Sequence, residues 1–245
     1  MGNSVVHFEV NGPDREALEK FYSELFGWHV QPMPEMGYSI VNTHAGAGID
    51  GGIGQTDHGR GFVTFYVEAD DPQSILDKAQ SLGGSVVMPV TEIPGVVTVA
   101  QFADFDGNII GLMKSAEPGQ EGPPRAGGSN PPVDWFEIGS SDSERARAFY
   151  SELFGWELKV HDDMGGYAEV EPIGQGIGGG IGPAQGPGPY VTVYAHVQDL
   201  QTTLDHATDL GGTVAVKPMD ISERMSFAGI LDPQGNYFGL FQTAD

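Results

Sequence analysis

F-Y-S-E-L-F-G-W, the sequence of residues 21–28, occurs again without change at residues 149–156, 128 positions further along the chain. The same offset relates the glycine-rich stretch 51–54 to 179–182, and Gly107-Asn108 to Gly235-Asn236. Several matches at one offset indicate a duplication, and the long period indicates that each copy is the size of a small domain. We therefore interpret the chain as two copies of one module.

The composition limits the classes of function. With 245 residues, 39% of them hydrophobic, the chain is long enough for two modules that each have a core. The chain contains 11 Lys and Arg but 34 Asp and Glu, and its net charge of −23 argues against nucleic-acid binding. The absence of cysteine excludes disulfides and fits a reducing compartment. No secretion signal or apolar run long enough to span a membrane is present, so we expect a cytoplasmic protein.

The repeated stretch has the pattern of a buried helix. Phe21, Tyr22 and Leu25 recur at helical spacing, and Gly27 is suited to the left-handed conformation that ends a helix. We expect Pro13 at the first helical position in the first copy. In the second copy Ser141 and Glu144 have the spacing of a capping box.

Short alternating segments around the helices predict strands. They are residues 5–10, 38–42, 47–53 and 61–68, and, after a helix that begins at Asp71-Pro72, residues 85–90, 95–103 and 108–114. We expect the glycine pairs at 51–52 and 179–180 to mark bulges or close backbone approach. Each module is then two βαβββ units, which is an α+β fold. The Pro- and Gly-rich stretch 115–132 is predicted to be a linker between modules 1–114 and 133–245.

Two successive βαβββ units, with FYxxLFGW ending the first helix and DxxGN in the last hairpin, resemble the vicinal oxygen chelate superfamily. This group includes glyoxalase I, the extradiol dioxygenases and the bleomycin-resistance proteins. The resemblance covers residues 5–114 and 133–242, and two-module, glyoxalase-like bacterial proteins are the most similar members. It implies curved mixed sheets around clefts, many of which hold a metal, in a monomer or a homodimer.

The resemblance also implies three metal-ligand positions in each module. They correspond to His7, Thr64 and Gly111 in the first copy and to Trp135, Thr192 and Gly239 in the second. Only His7 has a side chain that catalytic metals prefer, whereas such metals usually take about three protein ligands. We therefore expect no metal and no other cofactor. The alternative is a divalent metal held by His7 with Glu9 and Glu68.

Alternation along the strands predicts which side chains line the clefts. We expect His7, Glu9, Thr64, Tyr66, Glu68 and Met113 in the first copy, and Trp135, Glu137, Thr192, Tyr194, His196 and Phe241 in the second. His7, Glu9 and Glu137 are the candidates for catalytic proton transfer, and the others are the candidates for ligand binding. A structural role remains open for the paired Glu9 and Glu137, and hydrogen bonding or burial for His7.

Three functions follow from this pattern. The first is metal-free binding of a small aromatic or apolar molecule in clefts between modules, with or without proton-transfer catalysis. The second is a metal-dependent lyase, isomerase or dioxygenase that uses His7. The third is sequestration of a toxic cationic compound, which the resemblance to bleomycin-resistance proteins implies and the negative charge favours.

Overall fold

The computed structural model describes residues 2–57, 59–115, 128–186 and 188–244. Most of the predicted linker, 115–132, lies outside these residues, and the boundaries of the two modules stay a prediction. No helix in the described ranges combines the length and the hydrophobicity that crossing a membrane requires.

The chain alternates single helices with groups of strands. The helices are α1 (Arg15–Phe26), α2 (Pro72–Ser81), α3 (Ser143–Phe154) and α4 (Leu200–Asp209). The strands are β1 (Val5–Gly12), β2 (His29–Met33), β3 (Tyr38–Asn42), β4 (Gly51–Gln55), β5 (Phe62–Glu68), β6 (Ser85–Ile93), β7 (Val97–Ala103), β8 (Ile109–Ser115), β9 (Val133–Ser140), β10 (Leu158–His161), β11 (Tyr167–Val170), β12 (Gly178–Pro183), β13 (Tyr190–His196), β14 (Thr213–Ser222), β15 (Met225–Leu231) and β16 (Tyr237–Thr243).

The strands form two mixed sheets of eight strands each. Their orders are β2-β3-β4-β1-β5-β8-β7-β6 and β10-β11-β12-β9-β13-β16-β15-β14, so each sheet is built from two βαβββ units. The predicted α+β class and the tandem βαβββ architecture are confirmed. Strand β2 and its counterpart β10 had not been predicted. They are edge strands without a buried residue, and therefore lack the apolar alternation that identifies a half-buried strand.

The chain forms two compact units, and each contains parts of both repeats. Of the described residues, unit 1 contains 2–6, 64–115 and 135–191, and unit 2 contains 7–63, 128–134 and 192–244. Unit 1 thus combines the second βαβββ unit of the first repeat with the first βαβββ unit of the second repeat. Unit 2 combines the remaining two.

The repeated helices begin at aspartates. Asp14 caps α1 by accepting a hydrogen bond from the backbone N–H of Ala17 (3.0 Å), so the prediction that Pro13 is the first helical residue was wrong. Asp142 caps α3 in the same way, and Ser141 is not the cap. A carboxylate accepts this bond well and also interacts favourably with the helix dipole.

The repeated aromatic residues form the core of each unit, as the helical pattern predicted. In unit 2, Phe8 packs against Trp28 with ring centroids 5.4 Å apart, and Tyr22 stacks on the same indole at 6.1 Å. In unit 1, Phe136 and Trp156 make the equivalent contact at 5.2 Å. These rings are almost completely buried, so their burial stabilises each unit.

A buried hydrogen bond joins the two repeats inside each unit. In unit 1 the hydroxyl of Tyr150, in α3, donates to Asp104 in the turn before β8 (2.7 Å). Asp104 also accepts from the backbone N–H groups of Asp106 and Asn108 (2.8 and 2.9 Å), which fixes the DxxGN turn. In unit 2 the hydroxyl of Tyr22 donates to Asp232 in the same way (3.1 Å).

We expect Tyr150→Phe to lower the free energy of unfolding by about 1.5–3 kcal/mol, because a buried carboxylate loses one of its donors. Chemical denaturation monitored by circular dichroism would measure the change. Ser81→Ala, which removes an exposed hydroxyl bond to the Lys78 carbonyl, is the control and should change stability by less than about 0.5 kcal/mol. Equal effects of the two substitutions would show that the Tyr150–Asp104 bond is not a structural link.

Candidate functional site

Each sheet has one face that packs on helices and one that does not. In β1 the buried Phe8 and Val10 point toward the helices, so the alternating residues His7, Glu9 and Asn11 point away from them. We call this second face the helix-free face. By register it also carries Thr64, Tyr66, Glu68 and Met113 in unit 1, and Thr192, Tyr194, His196 and Phe241 in unit 2.

In unit 2, His7 forms a hydrogen bond with Tyr38, which the sequence analysis had not predicted as a site residue. The His7 Nε2 and the Tyr38 hydroxyl oxygen are 2.8 Å apart. Removal of the imidazole from water lowers the pKa of His7 to about 4, against the opposing effect of Asp50, so the ring is neutral at pH 7. Burial, and then the charge of Glu9, raise the pKa of the Tyr38 phenol well above 10. Tyr38 therefore keeps its hydroxyl proton at pH 7.

Glu9 and Asn11 follow His7 along the same face of β1. They are 8% and 5% exposed. The oxygens Glu9 Oε1 and Asn11 Oδ1 both lie over Gly54, where any Cβ would overlap with Asn11. Within the described residues, Asn11 Nδ2 has no hydrogen-bond partner. A buried amide donor without an acceptor costs free energy, and a ligand or water oxygen would remove this cost.

In unit 1, Glu137 lies among three aromatic side chains. The Tyr190 hydroxyl donates a short hydrogen bond to Glu137. Burial, followed by the charge of Glu137, raises the pKa of the Tyr167 phenol well above 10. All four side chains are half-buried. This cluster presents aromatic surface and one negative charge.

The two threonines at family ligand positions are completely buried. Thr64 donates its hydroxyl proton to the carbonyl of Ile109 (2.7 Å) in unit 1. Thr192 donates to the carbonyl of Tyr237 (2.8 Å) in unit 2. The single hydroxyl proton of each threonine is therefore already donated to a backbone carbonyl. A role of Thr64 and Thr192 in ligand binding stays a prediction.

The two glycines at the last family ligand position are covered by tyrosine rings. In unit 1 the ring of Tyr66 lies flat on Gly111, and its hydroxyl accepts from Gln101 Nε2 (2.8 Å). In unit 2 the ring of Tyr194 lies flat on Gly239. A Cβ at either glycine would overlap with the ring, so no ligating side chain has room there. Among the described residues no group of three His, Asp or Glu forms a metal site, and the side chains present do not fit one.

His196 lies in a small polar cluster of unit 2. Its ring stacks on Phe241 with centroids 4.4 Å apart, and its Nε2 is 3.0 Å from the Thr243 hydroxyl. Its Nδ1 is 3.7 Å from Asp134 Oδ2, too long for a hydrogen bond. Burial raises the pKa of Asp134 to about 6 and lowers the pKa of His196. The side chains of Glu68 and Met113 lie in unit 1, exposed and half-buried respectively.

Sequence reasoning missed Tyr38, Tyr167, Tyr190 and Asn11. The two tyrosines in β3 and β11 are 129 positions apart, whereas the repeat was aligned at 128. The glycine pairs were the available signal, because Tyr38 lies on Gly52 and Tyr167 lies on its counterpart in β12. The glycine pairs had been predicted to mark bulges or close backbone approach, whereas the structure places aromatic side chains on them.

The raised pKa of Asp134 predicts that this residue stabilises the fold less as the pH rises. Because its pKa in the folded protein is raised, the folded state binds this proton more tightly than the unfolded state. The resulting stabilisation is complete below about pH 4 and is lost as the pH rises through about 6. We expect Asp134→Asn to raise the free energy of unfolding by about 1–2 kcal/mol at pH 7.5 and to have little effect at pH 4, measured by denaturant titration.

Asp163→Asn, at an exposed position in the short 3-10 helix Asp162–Met164, is the matched control for Asp134→Asn and should change the free energy of unfolding by less than about 0.5 kcal/mol. A constant difference between wild type and Asp134→Asn across the pH range would contradict the raised pKa.

Comparisons with known proteins agree with the fold. Residues 4–112 match the Glyoxalase/Bleomycin resistance protein/Dioxygenase superfamily, and residues 135–241 match the Glyoxalase-like domain. The anthracycline biosynthesis protein DauV of Streptomyces sp. (strain C5) is 27% identical over 266 residues, covering 97% of this chain and 92% of the relative. The putative glyoxylase CFP32 of Mycobacterium bovis is 28% identical over 241 residues, covering 94% of this chain and 91% of the relative.

Solved structures with the same fold include two kinds of enzyme. The Mn(II)-bound glyoxalase from Novosphingobium aromaticivorans aligns with a TM-score of 0.68 at 13% identity, over 98% of this chain and 82% of the other. The 2,3-dioxygenase LapB from Pseudomonas sp. KL28 aligns with a TM-score of 0.67 at 14% identity, over 100% and 94%. With family matches in both repeats and this architecture, the chain belongs to the glyoxalase, bleomycin-resistance and dioxygenase (vicinal oxygen chelate) superfamily.

Proposed function

We propose that this protein binds a small aromatic or apolar molecule on its helix-free faces without the metal that many members of its superfamily use. The observation that carries the proposal is the pair of tyrosine rings on glycines at the last ligand position. Tyr66 covers Gly111, and Tyr194 covers Gly239. A carboxylate at either glycine would have to displace a buried ring, so the tyrosine ring and a ligating side chain exclude each other.

The chemistry of the remaining residues supports a ligand with a large apolar surface and a few polar atoms. Trp135, Tyr167 and Tyr190 offer half-buried rings in unit 1, and aromatic surface with a few placed polar groups is typical of small-molecule sites. In unit 2 the unpartnered Asn11 Nδ2 favours a ligand that carries an oxygen acceptor. Two relatives are named for anthracycline biosynthesis, and anthracyclines are aromatic molecules.

A second candidate function, proton transfer, is favoured by the surroundings of Glu9. This carboxylate is nearly buried and lies beside Tyr38, which stays protonated. Glu9 would accept a proton from the ligand and return it to another atom of the same ligand, so that no other reactant is consumed. His7, with a pKa of about 4, is a weak base, and we assign it the orientation of Tyr38. Glu137 would act similarly in unit 1, next to Tyr190.

Metal content tests the first part of the proposal. We expect less than about 0.1 equivalent of zinc, iron, manganese or nickel in protein purified without chelator and without a metal-affinity tag, because a catalytic metal needs about three protein ligands. His7→Ala should give the same value, and so should His29→Ala, the control at an exposed histidine. About one equivalent that is lost only in His7→Ala would establish the metal-dependent alternative.

Ligand binding can be followed at the three indole N–H groups by nitrogen-15 NMR. Trp28 and Trp156 are buried, with their N–H groups bonded to the carbonyls of Pro131 (2.9 Å) and Asn3 (2.7 Å). We expect the neutral aromatic probe 1-naphthol to shift only the Trp135 signal, because its ring alone lies half-buried on the helix-free face. Trp135→Phe assigns the signal. No shift at Trp135, or equal shifts of all three signals, would contradict the proposed binding surface.

A further inference from the structure

Two exposed histidines of unit 2 lie side by side at the edge of its sheet, and we call them the histidine pair. His29 is the first residue of the edge strand β2, and His44 follows the end of β3 by two residues. Their ring centroids are 5.8 Å apart, with the planes at 71°. Within the described part of the chain, neither imidazole forms a hydrogen bond or an ion pair. Neither residue is at a ligand position of the superfamily.

The chain before each histidine is fixed. Asn130 Nδ2 donates to the backbone carbonyls of Gly27 and Thr43 (2.8 and 3.0 Å), so that one amide joins the two segments. Trp28 is buried, and Thr43 donates its N–H and its hydroxyl proton to Asp50 (2.9 Å each). The two imidazoles are therefore held within reach of each other, and mainly their own side-chain torsions remain free.

The backbone at His44 is strained. Among the residues that the structure describes, it is the only one other than glycine with a positive φ (50°), and its N–H donates to Asn42 Oδ1 (2.9 Å). Such strain in folded proteins is concentrated at functional sites. A glycine would relieve it, so the backbone conformation alone does not account for a histidine at this position.

The spacing of the histidine pair suits one shared metal ion. Rings that share a metal have centroids roughly 4.5–6 Å apart, because each metal–nitrogen bond is about 2.0–2.1 Å long. Exposed side chains rotate quickly, so both rings can direct a nitrogen at the same point. Imidazole is a good ligand for copper, nickel and zinc, and Cu(II) binds such nitrogen ligands most tightly of the three. The net charge of −23 attracts cations to this surface.

The second repeat lacks the histidine pair. Glu157 stands in place of His29, and residues 171–177, which follow β11, contain no histidine. The feature is therefore specific to the first repeat and is not a general property of the fold.

We propose that the histidine pair binds one divalent transition-metal ion, Cu(II) most tightly and Ni(II) or Zn(II) more weakly, with water as the remaining ligands. The bound ion ties β2 to the connection after β3 and so stabilises the edge of the sheet. This inference does not depend on the proposed function. Two protein ligands hold a metal less tightly than the three of a catalytic site, so the ion is lost during purification and the purified protein is metal-free.

Titration of the metal-free protein with copper(II) chloride, in a buffer that does not coordinate copper, tests the proposal. We expect one tight equivalent by calorimetry and electron paramagnetic resonance with hyperfine coupling to two imidazole nitrogens. His29→Ala and His44→Gly should each weaken this binding at least about tenfold. Because glycine suits the backbone at residue 44, His44→Gly should fold normally, and copper should raise the urea midpoint of the wild type but not of this variant.

His206→Ala is the matched control, because His206 is an exposed histidine on α4 of the same unit, and it should leave copper binding within about twofold. Equal weakening by His206→Ala, or tight binding that survives His29→Ala and His44→Gly, would show adventitious binding to separate groups and overturn the proposal. A wild-type urea midpoint that copper does not raise would overturn the stabilising role. None of these outcomes affects the binding of 1-naphthol, on which the proposed function is tested.

Discussion

Flat contact between aromatic rings and strand glycines is the constraint on which the rest of this structure depends. Phe8 lies on Gly51 and Phe136 on Gly179 on the helix side, where the rings join the core. The same contact on the helix-free face leaves no room for a side chain at Gly111 and Gly239, because a ring and a ligating side chain need the same space. Core packing and the absence of room for metal ligands thus have one steric cause.

The sequence was sufficient for the fold because the repeat, the helical spacing and the glycine-ended helices all agree. It was less informative about the site for two reasons. The edge strand β2 has no apolar alternation, and Tyr38 lies on that side of its sheet, next to β2. The residues at the family's ligand positions could be identified from the sequence. That Tyr66 and Tyr194 cover two of these positions depends on the register between neighbouring strands, which the sequence does not show.

The two repeats differ in the surroundings of the carboxylates at one equivalent position, Glu9 and Glu137. Around Glu9 the neighbours are an imidazole, a phenol and an amide, all of which form hydrogen bonds. Around Glu137 they are phenols and an indole, which give this face more aromatic surface. Duplication therefore allowed one scaffold to keep a polar surface and an aromatic one, each in a different compact unit.

Each unit contains segments of both repeats, and this affects folding during translation. Unit 1 draws on residues up to 191 and unit 2 on residues up to 244, so the first repeat alone completes neither. During translation the first repeat emerges with half of each core exposed, including rings such as Phe65 that later pack against Phe136. The exposed apolar surface persists until the second repeat is synthesised, which makes this interval the period of greatest exposure to aggregation.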